Sequence, residues 1–492
     1  MDFSDATGSA GIAASGKTHY ARALEWIQVV PGESYFSTET GGSWTPVGQN
    51  DAITWPELEG LFRRKDVEAT EQYFSLLTSS GVTCLRLMLE YCQGEHRYIE
   101  TRAGHFAPNV VRLWDDLFAL CEQHGLRILL TPFDTFWMWR RWGHHPYNRK
   151  NGGPSRRRSH WLLCSVTRAA IKTRLTFAVE RWGGSGALFA WDLWNEIHPG
   201  HAEEKADVFA DFITDLSEHV RECEQRLYGR SHPQTVSMFG PEIIRRPWLD
   251  LATPIFRHPS LDFATIHVYA EGTIDAPRNT VAPAVSMGSI VRNAIAEIRD
   301  RRPFLDTEHG PIKTFKDLKV TLPEDFDDEY FRHMQWAHLA SGGAGGGMRW
   351  PNRHPHTLTT GMRLAQRSMA TFLPLIDWRR FQRRNINDEM VVSSAACWAQ
   401  FGCADQTQAL LWLLRSDNLD ARGMVRRNTA AVDVSVTIPE LQAGWYRVQS
   451  WDTTGATVRC VSEVDHNGIG DLTVQLGAVA TDVAVAVSCY LE

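Results

Sequence analysis

The stretch Leu188–Glu196, LFAWDLWNE, is a nearly unbroken apolar run with Asp192 inside it and Asn195-Glu196 at its end. A segment this apolar on both alternating faces suits a parallel strand covered on both sides. Its terminal carboxylate should emerge where the strand stops. Pro303–Glu308, PFLDTE, repeats the arrangement, and His309, Gly310 and Pro311 then break any continuation. A lone glutamate at a strand end is ordinarily just a solvated residue. Two of them, each lifted to the C-terminal end of a buried strand, are the equipment of glycosidic bond cleavage, one as acid/base and one as nucleophile or base.

Working outward, Leu261–Tyr269 (LDFATIHVY) is another strand-like run, and the i, i+2 spacing of His267 and Tyr269 puts both rings on one face. Val82–Leu89 and Leu126–Thr131 read as further strands, and Thr235–Phe239 as a shorter one. Helical spacing is expected over Leu58–Leu77, Val110–His124, His160–Trp182, Glu203–Tyr228, Ile290–Arg301 and Phe331–Ser341. Gly342–Gly347 is so rich in glycine that its backbone must pass close to something, and Met348-Arg349-Trp350 follow as an eighth strand. Strand-helix alternation from Trp44 to Ala370 predicts a (β/α)8 TIM barrel, with every candidate residue on the C-terminal side of its strand. Residues 35–50 predict a hairpin turning at Gly41-Gly42 and leading into the first strand.

Beyond about Trp378 the pattern changes to short alternating runs, among them Leu410–Leu414, Val432–Ile438, Tyr446–Trp451 and Val483–Tyr490. That is the signature of an antiparallel β-sandwich. The expected organisation is a flexible leader over residues 1–22, a catalytic barrel with its preceding hairpin over 23–375, and a C-terminal sandwich over 376–492. The sandwich is expected to cover the barrel's flank in preference to binding carbohydrate.

Trp194-Asn195-Glu196 after one strand, His267-x-Tyr269 on a later one, Glu308 ending the next and Trp350 after that resemble clan A glycoside hydrolases, family 5 in particular. The resemblance covers roughly residues 40 to 370. Arg86 fits the arginine which that family places at the end of its second strand, beside the nucleophile. The resemblance implies a retaining β-glycoside hydrolase. In it Glu196 is acid/base and Glu308 nucleophile, their carboxyl groups about 5 to 5.5 Å apart. It further implies that Tyr269 hydrogen-bonds Glu308, that His267 serves the acid/base or a hydroxyl, that Asn195 binds the sugar 2-OH, and that Trp350 floors the subsite. No metal or organic cofactor is called for. Where the family commonly has a histidine after the third strand, this chain reads Thr131-Pro132-Phe133-Asp134-Thr135, so Asp134 stands as the substrate contact there and the sugar is left open.

Phe133–Ser159 reads as a long insertion with Phe136, Trp137, Trp139, Trp142 and Tyr147 interleaved among Arg140, Arg141 and Arg149. Its aromatic density argues against disorder and for a wall of the sugar cleft, with Trp137 and Trp139 as stacking contacts. Such a wall would block one end of the cleft, which favours exo action or short oligosaccharides over an endo-acting mannanase or glucanase. A barrel that binds sugar without cleaving it is the alternative of another class. Loss of either glutamate would be its mark, and both are present.

Composition narrows the partners. The net charge of −7 over 492 residues gives no broad basic face, so a carbohydrate partner is expected and nucleic acid is not. No apolar run is long enough for a membrane span. The nine cysteines form no CxxC pair, which indicates neither a zinc site nor a redox motif. Without the basic start and apolar stretch of a signal peptide, a cytoplasmic location is expected, and oligomeric state is open. Gly11–Thr18, GIAASGKT, matches the phosphate-loop pattern letter for letter. No strand-like run precedes it, so nucleotide binding is not expected there.

Overall fold

The structure is a computed structural model that describes residues 24–90, 98–315 and 321–490. The expected leader, the GIAASGKT stretch and the loop residues Tyr91, Glu95 and His96 lie outside the described residues.

Strands β1 (Ile27–Val29), β2 (Phe36–Thr38) and β3 (Ser43–Trp44) form an antiparallel sheet, with the turn between β2 and β3 at Gly41-Gly42. The chain then enters a parallel sheet through β4 (Gly48–Asn50) and β5 (Cys84–Met88). After a small hairpin of β6 (Glu100–Arg102) and β7 (His105–Phe106), the sheet continues with β8 (Arg127–Thr131), β9 (Leu188–Asp192) and β10 (Gln234–Thr235). Their order is β10-β9-β8-β5-β4. β11 (Ala264–Val268) and β12 (Phe304–His309) pair in parallel with each other. Single parallel bridges extend this set: Phe239, just past β10, meets His267 on β11, and Arg349 meets both His309 on β12 and Gln49 on β4. The sheet is thus of TIM-barrel type, with helices between its strands.

Continuous burial explains the strands. Every residue of β5, β8, β9 and β11 is buried, which only a sheet covered on both faces requires. The glycine-rich stretch has a steric cause: a Cβ on Gly343 would fall 2.1 Å from the His338 ring, and one on Gly347, at φ +74°, would lie 2.9 Å from Asp306 Oδ2.

Several helices begin elsewhere than their periodicity suggests. Leu58–Leu77 is divided, because Asp66 caps a new helix, Val67–Ser79, by accepting from Ala69 N. Glu203–Tyr228 starts only at Phe209, since Glu203 and Glu204 both adopt positive φ. The helix expected over Ile290–Arg301 runs Ala282–Glu297, set early by Pro283 in its first turn. Phe331–Ser341 is the end of a longer helix, Glu324–Ala340, whose first turn carries Glu324, Asp325 and Asp327 against the helix dipole.

The remaining strands are β13 (Arg384–Asn385), β14 (Val391–Ser394), β15 (Trp398–Ala404), β16 (Gln408–Arg415), β17 (Val432–Ile438), β18 (Gly444–Asp452), β19 (Thr457–His466), β20 (Leu472–Val479) and β21 (Asp482–Tyr490). They make two antiparallel sheets, β13-β15-β16-β21-β18-β19 and β14-β17-β20, as a β-sandwich requires. One strand ties the two halves of the molecule together. On β16, Leu410, Trp412 and Leu414 belong to the main core shared with the parallel sheet, whereas Ala409, Leu411 and Leu413 face the core between the two antiparallel sheets. Asp482 adds a polar lock, accepting from Arg332 Nη1 at 2.7 Å and Trp412 Nε1 at 3.1 Å.

Candidate active site

Glu196 and Glu308 converge at the C-terminal mouth of the parallel sheet, and His267 stands between them. Donor atoms of the three lie within 4.8 Å of one another. Glu308 is the last but one residue of β12; Glu196 follows β9 by a short loop and takes φ +51°, a conformation non-glycine residues rarely adopt. Backbone strain of this kind concentrates at functional sites. It is held here by Ser237, whose Oγ accepts from Glu196 N at 3.2 Å and whose carbonyl accepts from Ile197 N at 3.0 Å.

The two glutamates have different companions. Tyr269 donates to Glu308 Oε1 at 2.5 Å, and Arg86 Nη1 approaches Glu308 Oε2 at 3.3 Å. His267 Nδ1 lies 2.8 Å from Glu196 Oε1 and 3.5 Å from Glu308 Oε2. Burial raises both carboxyls above their ordinary values. Glu196 is pushed up to about 7, Asp192 and Glu242 adding to the effect and Arg86 opposing it. Glu308 is also raised by burial, and Arg86 and the Tyr269 hydrogen bond pull it back. Burial lowers His267 to about 4, so its ring is neutral near pH 7. Three groups here could hold a cation by spacing alone. The fixed positive charge of Arg86 on Glu308 Oε2 opposes a divalent ion at that oxygen.

Beneath the pair lies a buried polar layer. Arg86, fully buried, donates from Nη2 to Asp192 Oδ2 at 2.7 Å and Asn195 Oδ1 at 2.5 Å, and from Nη1 to Asn50 Oδ1 at 2.9 Å. Asp192 also accepts from Thr131 Oγ1, Ser237 N and Ser237 Oγ. Asn195 passes the order on, donating from Nδ2 to Asp134 Oδ1 at 2.7 Å. Both ends of the Asn195 amide are therefore held by protein groups. Asp134 in turn caps the next helix, accepting from Phe136 N and Trp137 N, and its own N–H donates to Glu90 Oε2 at 3.0 Å. The structure thus makes Asp134 a buried clamp; the direct substrate contact expected of it is corrected, since its carboxylate oxygens are engaged and it is 1% exposed. Asn50, Glu90, Asp192 and Ser237 were not singled out from sequence. For Asp192 the one signal was a charge inside an otherwise apolar strand.

The insertion after β8 also differs from its expected form. It is not a loop: Thr135–Arg141 is helical, and short 3-10 turns follow. Two residues apart on a helix point to opposite sides, so Trp137 and Trp139 do not form one exposed wall. Trp137 is buried in a cluster with Ala52 and Trp55 from the loop after β4, Met88 at the end of β5 and Trp350. Trp350 meets Trp55 edge-on at 5.2 Å. Trp139 is 39% exposed and packs beside His198, with Arg158 4.6 Å over its ring. Most other rings of the segment form a small core: Tyr147 stacks on Trp161 at 5.0 Å, and Arg174 lies over both Tyr147 and Phe133. Trp137→Ala should accordingly lower stability by about 3 kcal/mol, as loss of a buried tryptophan does. Trp139→Ala should change it by less than about 1 kcal/mol, so chemical denaturation of the two variants distinguishes their roles.

The fold is the TIM-barrel type found in solved structures of glycoside hydrolase family 5. No protein-family model matches the chain. A glycoside hydrolase of family 5 from Bacteroides vulgatus superposes with a TM-score of 0.62 at 10% identity, over 95% of this chain and 93% of that one. The endo-beta-1,4-mannanase from Thermotoga petrophila gives a TM-score of 0.51 at 13% identity, over 91% of this chain and 98% of that one. In sequence, mannan endo-1,4-beta-mannosidase 2 of Arabidopsis thaliana is 21% identical over 282 residues, 50% of this chain and 61% of the relative. The chain thus spans about three fifths of that relative's length.

Proposed function

We propose that the protein is a retaining β-glycoside hydrolase that works by double displacement, with Glu308 as nucleophile and Glu196 as acid/base. The observation that carries this reading is the unequal environment of the two closely spaced carboxyls. Their facing oxygens lie within 4.8 Å of each other, too close to admit a water between carboxylate and sugar, which suits direct attack. Glu308, gripped by Arg86 and Tyr269, is the one favoured as an anion; Glu196, without a cation of its own among the described residues, is the one that keeps a proton. Attack by Glu308 at the anomeric carbon, with proton donation from Glu196 to the departing oxygen, would give a glycosyl-enzyme. Water deprotonated by Glu196 would then release the sugar. The neutral imidazole of His267 fits a role orienting the Glu196 carboxyl. On this reading the parallel strands and the bridges at Phe239 and Arg349 close as an eight-stranded barrel over about residues 23–375, and the β-sandwich is an integral flank.

The mannan-directed names of the curated relatives support β-mannosides as the first substrates to try, and a chain-length series of oligosaccharides distinguishes exo from endo action. A panel of nitrophenyl β-glycosides tests the activity directly; no turnover of any member would refute it. The pH dependence carries its own test. With Glu196 required in its acid form and raised to about 7, kcat/KM should fall about tenfold per unit above that pH. The same shift has a stability consequence of defined sign. A carboxyl raised from 4.5 to about 7 binds its proton more tightly in the folded state, so its contribution to stability is lost as pH rises through that window. Glu196→Gln should therefore melt a few degrees higher than the wild type at pH 8 and equally at pH 4, by calorimetry.

A further inference from the structure

Between Asp134 and Glu180 the sequence contains no acidic residue and ten lysines and arginines, in a chain whose net charge is −7. Arg168, Lys172 and Arg174 of this segment pair with Asp215, Glu90 and Glu100, which leaves the cations of the folded insertion, Arg140 to Arg158, as its positive surface. Part of it lines a cavity of about 630 Å³ bounded by Trp142, Gly143, Asn148, Arg149, Lys150 and Arg156. That volume suits a sugar-sized ligand. Arg149, Lys150 and Arg156 are exposed, and none has an ion-pair partner among the described residues.

The loop that presents these cations is locked. Buried Asn148 donates from Nδ2 to Trp142 O at 2.8 Å and accepts from Lys150 N at 3.0 Å. Asn151 Nδ2 donates to Gly143 O and His145 O, and the backbone of Ser155 bonds to Arg149 N and Tyr147 O. A preorganised loop loses little entropy when its charges meet a ligand. Trp142 beside three cations with no ion-pair partner among the described residues combines a surface for a sugar with donors for an anion.

We propose that this cavity is an accessory subsite for an anionic sugar, so that the substrate of this protein is a β-linked oligosaccharide carrying a carboxylate-bearing unit such as a uronate. This rests on the glycosidase reading and adds the substrate's charge to it. A polynucleotide is the less suited polyanion, because only three cations line the cavity and the chain is acidic as a whole. The cations draw the carboxylate to the rim while the remainder of the oligosaccharide extends towards Glu196 and Glu308.

The test is calorimetric titration of Glu308→Gln, so that nothing is cleaved, with a β-linked trisaccharide bearing one glucuronate and with its carboxyl-reduced counterpart. The acidic ligand should bind at least about tenfold more tightly at low salt, and the difference should shrink at about 0.5 M salt. Combined Arg149→Ala, Lys150→Ala and Arg156→Ala replacement should bring the ratio close to one, and Lys150→Glu alone should move it in the same direction. Equal binding of the two trisaccharides, or a ratio unmoved by both variants, overturns the subsite. Inorganic phosphate binding as tightly as the acidic trisaccharide would assign the cavity to a free anion and overturn the sugar. Failure of the glycosidase reading shows separately, as a nitrophenyl panel that the wild type leaves intact.

Discussion

Glu308→Ala should lower turnover of any cleaved β-glycoside by about four orders of magnitude or more, because no other group in the site is placed to form the covalent bond. Glu196→Ala should behave differently. On substrates with poor leaving groups it should lose about 10²- to 10⁴-fold, the usual worth of a general acid, and on activated aryl glycosides much less in the first step. Added azide should then rescue Glu196→Ala by attacking the glycosyl-enzyme without base assistance, giving a glycosyl azide of β configuration. These expectations follow from position as well as from role. Glu308 carries the Arg86 and Tyr269 contacts that favour an anion, and among the described residues the side-chain partner of Glu196 is the neutral His267. Identical responses of the two variants to leaving group and azide would contradict the assignment.

Arg86→Met should be the most damaging change among the residues that do not react. The side chain is fully buried and bonds at once to Asp192, Asn195, Asn50 and Glu308. Removing it leaves Asp192 charged in the interior, which costs about 3–5 kcal/mol. Arg86→Lys keeps the charge but cannot reproduce the fork that reaches four partners. It should therefore fold better than Arg86→Met yet lose about 10²- to 10³-fold in kcat, as for loss of a preorganised donor. A specific signature separates this from general damage. With the guanidinium gone, the Glu308 carboxyl rises further, so the acid limb of kcat/KM for Arg86→Met should move to higher pH. A profile that only drops in height would mean that Arg86 supports the fold alone.

The sequence exposed those parts of this arrangement in which burial and chemistry share one signal. Leu188–Asp192 and Ala264–Val268 are buried on both faces, so they had to be continuous apolar runs, and the residues that follow them were correspondingly conspicuous. Val432–Ile438 was equally legible, since one face is buried and one is not. Gln234–Thr235 and Gly48–Asn50 are just as buried but polar, and Thr235 Oγ1 and the Asn50 amide hydrogen-bond inside the sheet. Local composition marks only the continuation of the first of them, Thr235–Phe239, as a strand. The same limit hid the polar layer: Arg86, Asp192, Asn195 and Asp134 are joined by contacts spanning up to 109 residues of sequence. The insertion misled for a different reason. Its tryptophans and arginines have no periodic core of the main fold to join, yet they build a local one around Tyr147, Trp161 and Arg174. Only Asp134, an N-cap residue before Thr135, hinted that a helix begins there.

Central to this account is attack by Glu308 on the sugar itself, which requires that the first product released keep the configuration of the bond cleaved. Proton NMR of a β-glycoside, recorded before the product mutarotates, reads this directly. The β-anomer should appear first and the α-anomer only later, as the solution equilibrates. An α-anomer formed first would mean that water attacks in a single displacement, and would contradict the nucleophilic role of Glu308.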